Sequence, residues 1–470
     1  MTRALLLTLA AALTACGPGR ASGPLPHEVY VWQRAWTPAV REAVAARAGD
    51  FDAVTVLAAE VGWERGPRTV ARVDVAWDQL AGARAVGLAL RVGPFDRASF
   101  PSARPASHGP GVPFRPGNGV VSVGPLRSPR LPTADFVVLR DQLRPPGPDL
   151  PLGATESHAA AGDALAALAA EVVAAARAAG VQPRELQLDF DAPTAGLADY
   201  ARWLDRIHAR VPDLPLVITA LPTWLDAPAF AALVGGVDAF VLQVHSVTRP
   251  TGPDALPPLC DPALARRWIE RAAALGRPFR VALPTYGYRL GFAPDGHLLG
   301  LTAEAPARPW PPDTTVRELR ADPAAMAALV AELTRDRPGN LERVSWYRLP
   351  IPGDALVWSD ATFAAVRRGA PVAPALAVAL AWPEPTLAEV RATNAGTADA
   401  ALPGTVRVTG PTPLASDGQS GYTRADTLAV TLFERGPAVT PLAPGATRPI
   451  GWLRFSTPPS REAVVVTVAP

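Results

Sequence analysis

Two carboxylates spaced two residues apart, Asp189 and Asp191, close the short apolar run Glu185-Leu-Gln-Leu-Asp-Phe-Asp-Ala-Pro193. Residues two apart in a β-strand share a face, so Gln187, Asp189 and Asp191 point one way and Leu186, Leu188 and Phe190 the other. The two carboxylates then stand roughly 6.6 Å apart, twice the rise per residue. Like charges that close disfavour each other's ionisation, which raises the pKa of one of them and suits it to general acid work. In that reading Asp191 is the proton donor and Asp189 its charged neighbour. Glu60, at the end of an earlier β-branched run, is a candidate second carboxylate. His245 is a further proton-transfer candidate, set against the plainer role of a hydrogen-bonded core histidine. The plain alternative for the aspartates is a solvated edge strand, or a cap on the helix that starts near Thr194.

The elements that would position these groups alternate along the chain from His27 to about residue 370. Strands are expected at Glu28–Trp36, Ala53–Val61, Ala85–Gly93, Glu185–Asp191, Pro215–Leu221, Val237–Val247, Phe279–Tyr286 and Leu341–Arg348. Apolar residues at helical spacing predict helices between most of them, clearest at Ala159–Ala179, Leu197–Arg210, Pro262–Leu275 and Ala324–Arg335. Eight strands alternating with helices predict an α/β fold, a (β/α)8 TIM-type barrel over residues 27–370. An open doubly wound sheet fits less well, because no glycine-rich phosphate fingerprint follows the first strand. Long excursions at Pro94–Gly153, Ser246–Asp261 and Tyr288–Ala321 all fall on the βα side, where barrel sites are built. Within the last, Gly291–Gly300 carries an Asp-Gly turn between apolar flanks and predicts a hairpin. After the Pro371–Pro374 linker, short strands separated by turn signals predict a small all-β sandwich over residues 371–470.

Residues near the C-terminal ends of the expected barrel strands form a coherent set. Arg34 and Trp36 follow the first strand, Glu60 the second, and Asp189 and Asp191 the fourth. Trp224 follows the fifth, Gln243 and His245 the sixth, Tyr286 the seventh, and Trp346 and Tyr347 lie on the eighth. Carboxylates, hydrogen-bonding groups and aromatics around one mouth suit a carbohydrate, whose rings stack and whose hydroxyls bond. Trp36, Arg34, Gln243, Tyr286, Trp346 and Trp224 are the expected substrate contacts. A carboxylate pair about 5–5.5 Å apart would suit retention, and a wider pair inversion. The six histidines are scattered and predict no metal site, and nothing calls for a cofactor.

Composition narrows the remaining classes. The formal charge is +2 with both signs interspersed, which gives no footprint for nucleic acid. All 45 basic residues are arginine, so Schiff-base chemistry on lysine and the lysine of a phosphate-binding loop are excluded. Arg3 and the apolar Ala4–Ala12 read as an export signal too short to span a bilayer. No later segment carries an uninterrupted apolar run of spanning length. Leu13-Thr-Ala-Cys16 resembles a bacterial lipoprotein processing site. That resemblance implies residues 1–16 as signal peptide and lipidation site, Cys16 as the lipidated residue, and 17–26 as a tether. Gly17 after the cysteine favours the outer membrane, so the expected place is the bacterial cell envelope, lipid-anchored.

Three motifs, Val29-Tyr-Val-Trp-Gln-Arg34, Leu186–Asp191 and Thr219–Leu225, together resemble an uncharacterised family of exported bacterial proteins, a domain of unknown function. More distantly, Leu188-Asp-Phe-Asp191, Val281–Gly287, the Asp238–Ser246 stretch and Trp346 resemble the family 18 glycoside hydrolases, the chitinase-like barrels. That second resemblance implies a sugar-binding mouth with Trp346 as its floor. The sequence departs from it where the catalytic Glu would stand, at Pro193. It departs again at Gln243, His245 and Ser246 on the sixth strand. Without that Glu the family's substrate-assisted mechanism does not carry over. Two functions follow: a membrane-tethered, glycoside-hydrolase-like barrel acting on a polysaccharide or glycan, or a non-catalytic carbohydrate-binding envelope lipoprotein that has lost its acid.

Overall fold

The computed structural model describes residues 19–63, 68–93, 95, 156–248, 250–302, 310–427, 430–436 and 439–468. The expected signal peptide, Cys16 and the Pro94–Gly153 excursion apart from Phe95 lie outside them. Fourteen strands run from β1 (Arg20–Ala21) through β2 (His27–Val31), β3 (Ala53–Gly62), β4 (Thr69–Arg72), β5 (Val86–Val92), β6 (Pro183–Phe190) and β7 (Leu216–Ala220). They continue with β8 (Ala239–Gln243), β9 (Phe279–Pro284), β10 (Gly287–Phe292), β11 (Leu298–Thr302), β12 (Thr315–Arg320), β13 (Arg337–Pro338) and β14 (Leu341–Tyr347). Eight of these, β2, β3, β5, β6, β7, β8, β9 and β14, pair in parallel in that order, and β14 pairs back to β2. The sheet is a closed (β/α)8 barrel. All eight expected strands form; the first ends at Val31, short of Trp36, and a bend then leads into the first helix.

Helices α1 (Pro38–Arg47), α2 (His158–Ala178), α3 (Leu197–Arg210), α4 (Pro228–Gly235), α5 (Pro262–Ala273), α6 (Pro323–Arg335) and α7 (Asp360–Arg367) surround it. Between β3 and β5 the connection is β4 and a 3-10 turn, Trp77–Leu80, instead of a long helix. Helix starts on the mouth side are fixed by local chemistry. Asp261 and Asp322 each accept two backbone N–H bonds at the head of α5 and α6, with proline at the first helical position. By length and mean hydropathy α2 is apolar enough to cross a bilayer, although Asp163, Glu171 and Arg177 interrupt its apolar run. Its apolar face is instead buried in the barrel's outer core through Leu165, Leu168, Val172 and Val173. Gly162 of α2 lets Trp203 of α3 approach, since a Cβ there would stand 2.7 Å from the Trp203 ring.

After β9 the strands β10, β11 and β12 form an antiparallel insert with its turn at Asp295-Gly296, as the Asp-Gly signal predicts. Beyond α7 the architecture changes to two four-stranded antiparallel sheets, with Val390, Val406, Phe433, Ile450 and Leu453 between them. Trp382 there stacks on Phe455 and carries Arg461 over its ring, and the Tyr422 hydroxyl donates to the Pro403 carbonyl. These aromatics brace the sandwich.

The barrel interior is polar at both ends. On β7, β8 and β9, Val217, Ala239, Val241 and Ala282 form a small apolar patch. Near the base, Arg280 of β9 is 3% exposed and meets Glu185 of β6 at 2.6 Å and Glu28 of β2 at 3.2 Å. The Ser345 hydroxyl of β14 also donates to Glu28. Gly87 of β5 leaves room for this group, since a Cβ there would meet Thr55 at 2.8 Å and Glu185 at 3.3 Å. Burial pushes the Glu28 carboxyl up, against the pull of Arg280. Burial also opposes ionisation of Glu185, but its paired bonds from Arg280 win and hold it below the ordinary value. Removing the guanidinium leaves Glu28 with only Arg343, at 3.8 Å, and Glu185 with only Arg184, at 3.0 Å, and losing the main partner of a buried charge costs up to about 3–5 kcal/mol. Arg280→Met is expected to lower unfolding stability by that amount in urea titration. A loss under about 1 kcal/mol would show that the cluster is not what closes the barrel base.

Candidate active site

Strand alternation places the first predicted group as expected. Phe190 turns outward onto Tyr200 and Trp203 of α3, while Gln187 and Asp189 face the barrel interior. Asp189 is not a bare charge beside Asp191. It accepts from Arg91 Nη1 at 2.6 Å and Thr219 Oγ1 at 2.7 Å, with both ends of the ion pair buried. Asp191 lies one residue beyond β6 and is half-buried at the rim. Glu60 pairs in register with Arg91, and Arg91 with Asp189, so a guanidinium's strand stands between the two carboxylates. Two strand spacings separate Glu60 from Asp189, roughly 10 Å between backbones. Glu60 is itself clasped by Arg34 through Nε at 2.5 Å and Nη2 at 2.8 Å. Pro193, two residues past Asp191, heads the 3-10 turn Thr194–Gly196 and carries no acid.

The sixth and seventh strands end in a chain of hydroxyls. Ser246 Oγ lies 2.6 Å from Tyr288 OH, which lies 2.8 Å from Tyr286 OH, which lies 3.2 Å from His245 Nδ1. Ser246 holds φ at 58°, a left-handed conformation strained for a residue with a Cβ. Gln243 Nε2 donates weakly to the His245 carbonyl at 3.4 Å. His245 is stacked on Tyr347 at 5.8 Å and is 2% exposed. Burial holds its imidazole down to about 3, so it is neutral at pH 7 and a poor base. The same burial pushes the Tyr286 and Tyr347 hydroxyls well up, which keeps them protonated donors.

The expected aromatic contacts divide. Tyr286 is inside, within the hydroxyl chain. Trp346 is not: it stacks on His27 and packs edge-on to Phe363 of α7, on the outer side of β14. Its neighbours Ser345 and Tyr347 take the inward phase, so Tyr347 occupies the place expected of Trp346. Trp224 also lies outside, packed on Tyr200 and Phe230, with its Nε1 donating to the Ala192 carbonyl at 3.2 Å. The cause is the Pro222–Trp224 turn, which carries the ring back over the helices. Trp36 is buried ahead of α1, and its Nε1 is a further buried donor without a hydrogen-bond partner. Its carbonyl accepts from Arg41.

Several inward groups were not among the expected contacts. Trp32 and Tyr347 pack edge-on at 5.4 Å, and Tyr30 packs on both. Trp32 Nε1 and Tyr347 OH are buried donors without a hydrogen-bond partner, in rings only 2% and 7% exposed. Gln187 donates to Tyr30 OH at 2.6 Å, which leaves its Oε1 without a partner. Buried polar atoms are normally satisfied, so these leave donors and an acceptor at the barrel interior open to a polar partner. A period-two count forward from Ser345 puts Tyr347 on the same, inward face of the strand.

Residues 156–352 match the model of a domain of unknown function, DUF3142, and residues 379–456 match a second, DUF8456. The first match spans the fourth to eighth barrel strands; the Val29–Arg34 motif lies outside it. No curated protein matches. Among solved structures the chain is similar to a chitinase from Chromobacterium violaceum, at 15% identity over 73% of this chain and 98% of that one, TM-score 0.41. It is also similar to the spore cortex-lytic enzyme SleL from Bacillus cereus, at 12% identity over 71% of this chain and 72% of that one, TM-score 0.42. A third is the C-terminal domain of a putative chitinase from Desulfitobacterium hafniense, at 11% identity over 74% of this chain and 99% of that one, TM-score 0.43.

His245 gives the site a pH signature. Its folded pKa of about 3 lies below the ordinary 6.5, so below pH 6.5 the unfolded chain binds the extra proton. The stability it permits is full above pH 6.5 and falls as the pH drops toward 3. By pH 4 the loss from this residue is about 3 kcal/mol. His27, held down to about 4 by burial and then by Arg367, adds in the same direction. Urea unfolding at pH 7 and pH 4 should show a smaller drop for His245→Gln than for the wild type. Equal drops would mean that the imidazole is not buried in its neutral form.

Proposed function

We propose that this chain is a glycoside-hydrolase-like barrel that holds a polysaccharide or glycan in its mouth without hydrolysing it, tethered to a bacterial membrane by lipid on Cys16. One contrast carries the reading: the acids of the mouth are committed while several donors are not. Asp189 is matched by Arg91 and Thr219, Glu60 by Arg34, and His245 is neutral through burial. Pro193 stands where the related chitinase-like barrels would carry their acid. Trp32 Nε1 and Tyr347 OH meanwhile remain as buried donors inside the mouth. Ring faces from Trp32, Tyr30 and Tyr347 beside such donors suit a sugar, which presents apolar faces edged by oxygen atoms. Leaving a buried donor unmatched is costly, so a ligand that accepts from both gains what the empty mouth lacks.

A second reading has one observation in its favour. Asp191 sits half-buried at the rim, one strand position above the Asp189 ion pair, where a proton donor to a glycosidic oxygen would stand. In that reading the barrel is a hydrolase with Asp191 as its acid, and Glu60 is too firmly held to serve as its partner.

The chain from Gly17 onward, incubated with bacterial and environmental polysaccharides, separates the two. Binding without new reducing ends is expected. Tyr347→Phe and Trp32→Phe should each weaken retention about five- to tenfold, the worth of about one hydrogen bond of 1 kcal/mol or slightly more. Reducing ends released by the wild type and lost in Asp191→Asn would replace recognition by hydrolysis. For the anchor, Cys16→Ser is expected to move the protein from the membrane fraction to the soluble one. Retention in the membrane fraction would argue against lipid on Cys16.

A further inference from the structure

The first described residues are fastened to one particular end of the barrel. β1 pairs antiparallel with β13, Arg20 opposite Pro338 and Ala21 opposite Arg337. Arg20 sends Nε and Nη2 to the two oxygens of Asp336, at 2.7 Å each, and Nη1 to Glu270 at 2.9 Å. Gly23 N donates to the Thr334 carbonyl at 2.8 Å, and Arg337 Nη1 donates to the Gly23 carbonyl at 2.7 Å. Gly339 is glycine for a reason: a Cβ there would stand 2.6 Å from the Gly19 carbonyl. These partners lie where α6 ends and just before β14 begins, which is the base of the barrel, opposite the mouth.

We infer that the barrel stands base-down on the lipid surface, with its mouth directed away from the membrane that anchors it. The inference rests on lipidation of Cys16. From Cys16 to Arg20 is four residues, which span at most about 14 Å even when fully extended. The mouth lies a further 20 Å or so above the base, the height of a tilted seven-residue strand. The lipid is therefore held within one short reach of the base, and the stapled β1 denies the chain the slack to turn over. A ligand reaches Trp32 and Tyr347 from the aqueous compartment, and a headgroup of the same leaflet lies out of reach of the mouth.

The test uses the full lipidated protein on vesicles of phosphatidylcholine and phosphatidylglycerol that carry a headgroup quencher. A fluorophore is placed at the base through Asp213→Cys, in the loop between α3 and β7. In a second variant it is placed on the mouth side through Asp254→Cys, whose side chain is 88% exposed. Cys260 is buried and does not compete for label. The expected result is flotation of both proteins with the vesicles and quenching at least twofold stronger at position 213 than at 254. Arg20→Glu, which sets a carboxylate against Asp336 and Glu270, should bring that ratio toward one while flotation persists. Flotation with equal or reversed quenching in the wild type would overturn the orientation alone. Failure to float would overturn the anchoring and the orientation with it.

Discussion

A guanidinium closed inside a barrel must be matched before the barrel can close, and Arg280 sets that condition here. It lies 3% exposed between Glu28 of β2 and Glu185 of β6, with Ser345 of β14 bonded to the same Glu28. Strands from opposite sides of the ring are thereby tied through one cation. A barrel interior is ordinarily filled by branched apolar side chains. Here the comparable apolar patch consists of Val217, Ala239, Val241 and Ala282 on β7, β8 and β9, with charge pairs and packed aromatic rings beside it. Such pairing adds little net stability over an apolar core, but losing one partner is severe, so it penalises wrong strand register more than it strengthens the right one.

The same logic is repeated at the mouth and decides what chemistry is open to it. Arg91 and Asp189 are register partners on adjacent strands, and Thr219 on the next strand completes the bonding of the carboxylate. A carboxylate so held has both oxygens engaged by donors on neighbouring strands. Arg34 does the same to Glu60. General acid catalysis needs a carboxyl free to reach the scissile oxygen, and both of these are held by bonds from neighbouring side chains. Recognition needs only donors and acceptors at fixed positions, and Tyr347, Trp32 and Gln187 supply those from rigid strands or the residue just past one. The strained Ser246 and the hydroxyl chain behind it fix His245 rather than expose it.

Much of this fold was legible in the residue pattern, and its failures have physical reasons. Period-two alternation in Glu185–Asp191 correctly turned Asp189 inward, because Leu186, Leu188 and Phe190 left the polar set only one face to occupy. The helical period located α2, α3, α5 and α6 to within a residue or two at each end. Applied to β14, the same alternation contradicts Trp346 as a mouth residue, since Ser345 is the inward polar residue and Trp346 must face the helices. The expectation for Trp346 rests on its place near the end of the strand and on family resemblance, and neither carries the phase. Trp224 was misplaced for a different reason: it lies past the strand in a Pro-initiated turn, where no period applies. The ion cluster at the base was written in the sequence as Glu28, Glu185 and Arg280, each charged within an apolar strand run. What the sequence alone could not supply was their meeting, which depends on the closure of β14 onto β2.

The two ends of this barrel answer unlike demands with similar means. At the base, Arg20 receives the incoming chain on Asp336 and Glu270 at exposed sites, where each contact is weak alone. Backbone pairing of β1 with β13 and the close approach of Gly19 to Gly339 make the set cooperative. At the mouth, charge is buried and matched pair by pair, so the energetic penalty for disturbance is high and the surface stays rigid. A rigid recognition surface loses little conformational entropy when a ligand arrives. Among the described residues the βα connections after β8 and β9 fall on that same end, and the short αβ turns leave the base free to lie close to another surface. In the proposed reading attachment and recognition stand on opposite ends of the barrel, so that a change at one leaves the residues of the other in place.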